Sequence, residues 1–175
     1  TVIKDYAAAN AWESGKMYNT LVMDANVTVT LSAKGGSGSY AANTGKYYTN
    51  GNNWRAYQTD KEATLVITVA EGLVISYVVV TYEASNTGVL LNNGVQAASG
   101  AAVTVNATSV TFTVGNSGTA TNGQARITAI EVGYGKGGST PELPKHEHVA
   151  CPTCGLCTAA DCDGAADAKC QGHTV

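Results

Sequence analysis

The chain has 175 residues, 44% of them hydrophobic and 13% charged, with a formal net charge of −3 at pH 7. That suffices for one ordinary core and a small appendage. Ten Lys and Arg spread along the chain form no phosphate-neutralising patch in the linear sequence, which argues against a nucleic-acid binder. No apolar run reaches the ~20 residues a membrane helix needs. Thr1 leads straight into folded-type sequence, so a secretory leader is expected to lie outside this chain.

In chain order, Asp5–Trp12 predicts a helical turn, with Asp5 as a candidate N-cap. Val27–Leu31 alternates, placing Val27, Val29 and Leu31 on one face, and Leu65, Ile67 and Val69 repeat the pattern in Thr64–Ala70. Leu73–Tyr82 is apolar on both faces, as in a strand central to a sandwich. Val103–Val105, Val110–Val114 and Ala125–Tyr134 complete the strands. Turn chemistry separates them at Gly35–Gly38, Thr49–Asn52, Glu71-Gly72, Asn92–Gly94 and Gly115–Gly118. Short β-rich segments punctuated by Gly and Asn predict an all-β fold, an antiparallel, jelly-roll-like β-sandwich over residues 1–134. Residues 135–144 read as a Gly/Pro linker, and 145–175 as a separate tail.

The segments Asp5-Tyr6, Asn10-Ala11-Trp12, Asn43–Tyr48, Asn53–Gln58, Val114–Gly118 and Gln124–Val132, in that order, carry a resemblance. Together they resemble a recurrent β-sandwich accessory module of secreted multidomain proteins of gut-type bacteria. That module is carbohydrate-binding-module-like and sits beside hydrolases. The resemblance implies an extracellular, secreted or cell-surface accessory domain and leaves the sugar unnamed.

Residues 1–134 contain neither His nor Cys, so no Ser-His or Cys-His nucleophile can form there. Asp5, Glu13, Asp24, Asp60, Glu62, Glu71, Glu83 and Glu131 flank turns and strand ends and read as solvated charge rather than as a glycosidase pair. A non-catalytic role is therefore expected. Sugar recognition needs aromatic faces beside polar donors and acceptors. Residues 47–58 concentrate three Tyr, one Trp, one Arg and three Asn. Tyr47, Tyr48, Asn53, Trp54, Arg55 and Tyr57 are accordingly the candidate ligand contacts, displayed at the sandwich rim by the Asn50–Asn53 loop. The competing assignment is packing, because a domain with one Phe must fill its core with Tyr and Trp. Trp12 and Tyr18 are expected to pack the amino-terminal segment onto the sandwich, and Arg126 to be a cross-strand ion-pair partner.

The tail carries different chemistry. All five Cys and all three His of the chain lie between His146 and His173. Cys151-Pro-Thr-Cys154-Gly155 has the form of a zinc knuckle, two thiolates at i and i+3 converging on one ion. His146, His148, Cys151, Cys154, Cys157, Cys162, Cys170 and His173 make eight ligands, the number for two closed tetrahedral zinc sites of structural role. With Val149, Leu156 and Val175 as its main large apolar groups, the tail needs a metal or a cross-link to fold. Disulfides are the alternative in a secreted setting, but an odd number of cysteines leaves one thiol over and gives the His no role. These features predict a weakly carbohydrate-binding accessory module with a structural zinc tail. Its expected partners are a glycan, other domains of a parent protein or a surface partner. The rival reading is a structural, adhesion or protein-interaction module without glycan binding.

Overall fold

The computed structural model describes residues 1–36 and 41–137. It opens with helix α1 (Ile3–Ala9), which buries Ile3 and Ala7, one turn apart on a single face. The residue at its amino-terminal cap is Val2, with no side-chain cap. Asp5 is therefore not the cap; it lies in the first turn, where a carboxylate suits the positive end of the helix dipole.

Eleven strands follow among the described residues. They are β1 (Thr20–Val22), β2 (Val27–Ser32), β3 (Lys46–Tyr48), β4 (Asn53–Tyr57), β5 (Thr64–Val69) and β6 (Leu73–Ser85). Beyond these come β7 (Gly88–Asn92), β8 (Val95–Ala97), β9 (Ala102–Ala107), β10 (Ser109–Asn116) and β11 (Gln124–Lys136). They form two antiparallel sheets, one in the order β1-β2-β5-β10-β7-β8 and the other β3-β4-β11-β6-β9. The fold is all-β, built as a sandwich.

Alternation dictates the core. In the first sheet Val29 opposes Ile67, Leu31 opposes Leu65, and Phe112 opposes Leu65 from the other side. All of these are buried, while the intervening Thr28, Thr68 and Thr111 face outward. The second sheet contributes Trp54, Ala56, Ile75, Val78, Val80, Ala125, Ile127 and Ile130 to the same cluster. Full burial of each large aliphatic side chain contributes about 1.5–3 kcal/mol.

Strands β6 and β11 are each 13 residues long and pair along most of their length, with register shifts between Ile127 and Ala129 and between Gly133 and Tyr134. At Gly133 a Cβ would overlap the Tyr77 ring unless that side chain shifted. Backbones also come close at Gly88, where a Cβ would collide with Gly123 and Gln124. No helix among the described residues is long and apolar enough to cross a membrane.

Candidate functional site

The stretch expected to form a rim loop is instead a hairpin. β3 and β4 pair through Lys46 with Arg55, Tyr47 with Trp54, and Tyr48 with Asn53, joined by the turn at Thr49–Asn52. Asn52 and Gly51 adopt positive φ, which this Asn/Gly-rich turn tolerates. Because side chains alternate along a strand, the six candidate residues separate onto two faces.

Tyr47 and Trp54 point inward, which corrects their expected place at the rim. Trp54 is fully buried, and its indole Nε1–H donates to the carbonyl oxygens of Tyr18 (2.8 Å) and Gly45 (2.9 Å). A buried indole needs such a partner, and here it has two. Trp54 packs against Trp12, which lies parallel to Tyr18 at 4.4 Å between ring centroids and meets Tyr6 and Tyr47 edge-on. Trp12 and Tyr18 thus pin the amino-terminal segment to the sandwich, as their sequence context suggested.

Tyr48, Arg55 and Tyr57 face outward. The Arg55 guanidinium lies over the Tyr48 ring, 3.9 Å from its centroid, and its Nε–H donates to Asn53 Oδ1 at 2.7 Å. Asn53 is itself buried and donates to Asn50 O, so it braces Arg55 and presents no free surface to a ligand. Burial, then the neighbouring Tyr48 hydroxyl, raise the Tyr57 phenol above its ordinary value, with the Arg55 guanidinium opposing them. The three outward-facing, half-buried candidates therefore act on one another.

β11 enlarges this face. Its register sets Gln124 beside Tyr57 and Arg126 beside Arg55, with Glu83 of β6 on the far side of Arg126. Gln124 Oε1 accepts from Arg126 Nε at 3.4 Å. The expected ion pair of Arg126 is not made: no carboxylate among the described residues forms a salt bridge with it. The outer side of the five-stranded sheet thus presents two phenols, two guanidiniums, a primary amide and the half-buried Lys46, whose ammonium donates to Asn43 Oδ1 at 2.7 Å. These groups supply aromatic faces together with fixed donors, the chemistry that a polyhydroxylated ligand requires.

Sequence reasoning passed over Gln124 as a residue of the outer face, although its alternation with Ala125 and Ile127 placed it and Arg126 opposite the core. It also passed over Asp60. Asp60 is buried rather than solvated, and its Oδ2 accepts the backbone N–H groups of Asn43 (2.8 Å) and Thr44, which fixes the approach to β3. The other acidic residues of the described body are exposed. The eight tail residues His146, His148, Cys151, Cys154, Cys157, Cys162, Cys170 and His173 lie outside the described residues. No protein family, curated protein or solved structure matches this chain.

Proposed function

We propose that this chain is a non-catalytic accessory module of a secreted or cell-surface protein, binding carbohydrate weakly on the outer face of its five-stranded sheet. One observation carries this reading. Tyr48, Arg55 and Tyr57 turn outward together from β4 and its partner β3, beside Gln124 and Arg126 of β11. Phenol faces stack on sugar C–H surfaces, while guanidinium and amide groups bond vicinal hydroxyls. Consecutive strands from β4 through β7 alternate between the sheets, as do β9, β10 and β11, which supports a jelly-roll-like connection. Weak single-site affinity would be raised by tethering to neighbouring domains.

A glycan-array screen of the full chain tests the reading. Tyr48→Ala and Tyr57→Ala should each abolish the array signal while the protein stays folded. An array that remains silent for the native chain favours a structural or adhesion module instead.

For residues 145–175 the proposal rests on the ligand count: two closed, structural zinc sites built from the five thiolates and three imidazoles. Native mass spectrometry should find two zinc ions per chain, lost together with tail folding on chelation. Two S–S bonds with no bound metal would replace zinc by disulfides.

A further inference from the structure

The outer face carries a charge arrangement that sugar hydroxyls alone do not explain. Across β3, β4 and β11, Lys46 opposes Arg55, and Arg55 opposes Arg126. Neighbouring strands are about 4.8 Å apart, so three cations stand in a row roughly 10 Å long. Like charges placed directly opposite on one sheet face destabilise it. The chain as a whole is acidic, with a net charge of −3. Yet no carboxylate among the described residues forms an ion pair with any of the three, and Glu83 is the one acidic residue the register brings into the row.

Their internal hydrogen bonds run to neutral acceptors: Asn43 for Lys46, Asn53 for Arg55 and Gln124 for Arg126. In both arginines it is Nε that is held by the neighbouring amide oxygen. Such bonds orient the planar forks without engaging a carboxylate. A guanidinium fork matches a carboxylate through two parallel hydrogen bonds.

We propose that this row is a carboxylate subsite, and that the ligand of the outer face is an acidic polysaccharide containing uronic acid residues. The inference rests on the carbohydrate-binding reading and narrows its ligand class. The uronate carboxylate would sit between Arg55 and Arg126, with the sugar ring against Tyr48 or Tyr57. Ligand binding would then place a carboxylate between Arg55 and Arg126, on the side of the row away from Glu83.

The test titrates the full chain with polygalacturonate and alginate, each as free acid and as methyl ester, and with dextran sulfate of matched charge density. The free acids should bind at least roughly tenfold more tightly than their esters, the difference made by one charge-assisted pair. They should also bind more tightly than dextran sulfate. Arg126→Gln should weaken binding of the acids roughly tenfold. It should leave the melting temperature nearly unchanged, because losing a like-charge neighbour of Arg55 offsets losing an opposite-charge neighbour of Glu83. Equal binding of acid and ester would overturn the carboxylate subsite and leave carbohydrate binding standing. Dextran sulfate binding as tightly as the uronates would reduce the row to a general polyanion site, which also overturns it. Absence of binding to every polymer, neutral glycans included, would remove the carbohydrate reading itself and this inference with it.

Discussion

The two faces of the β3–β4 hairpin use the same residue types for opposite ends. Inside, Trp54 and Tyr47 join Trp12, Tyr18 and Tyr6 in a packed aromatic group whose only indole N–H on the hairpin is satisfied twice by backbone carbonyls. Outside, Tyr48 and Tyr57 remain half-buried and share one guanidinium. The difference arises from position parity along β4, not from composition: Trp54 and Ala56 fall on one side, Arg55 and Tyr57 on the other. An aromatic-rich stretch is thus two things at once, an anchor and a display surface.

The largest expected effect tests the inner face. Trp54→Ala should cost about 3–5 kcal/mol of stability, read from the denaturant midpoint. A loss under about 1 kcal/mol would mean the indole is not the anchor described. Next comes the support beneath the hairpin. Asp60→Ala should cost about 1–3 kcal/mol, because the backbone N–H groups of Asn43 and Thr44 lose their acceptor. The outer face should tolerate more: Tyr48→Ala should cost only about 0.5–1 kcal/mol, the scale of an exposed cation–π contact. If Tyr48→Ala proved as damaging as Trp54→Ala, the contrast between the faces would collapse.

The smallest effect is a slope at alkaline pH. Burial, first among the causes, raises the phenols of both Tyr57 and Tyr82 above the ordinary 10.0. The unfolded chain therefore loses these protons before the folded one does. Their contribution is complete below pH about 10 and declines as pH rises through the folded-state values. Urea midpoints measured from neutral pH to about pH 11 should show that decline, and Tyr82→Phe should flatten it.

Much of the sandwich was legible from alternation. Val27–Leu31, Leu65–Val69 and Val110–Val114 lie within observed strands that bury one apolar face, and Leu73–Tyr82, read as apolar on both faces, lies within β6. The hairpin was not, because Tyr47-Tyr48 and Asn50–Asn53 offer turn chemistry and aromatic bulk without a visible period of two. The partner of Arg126 was hidden for another reason. Which strands become neighbours is decided by the whole fold, and only the order β3-β4-β11-β6 sets one arginine beside another. Lys46, Arg55 and Arg126, scattered in sequence, become a patch by that route alone. Asp60 looked like surface charge because nothing local announces that two distant amides will close over it.

The insertion of β11 between β4 and β6 has a kinetic consequence. The final described strand closes the sheet between β4 and β6, both distant from it in sequence, and contacts of high sequence separation dominate. Such topologies pass their folding barrier in milliseconds to seconds rather than microseconds. Arg55 and Arg126 become neighbours only where β4 and β11 have paired. The three-membered cationic row is thus a property of the closed sheet, and no single hairpin of the chain carries it.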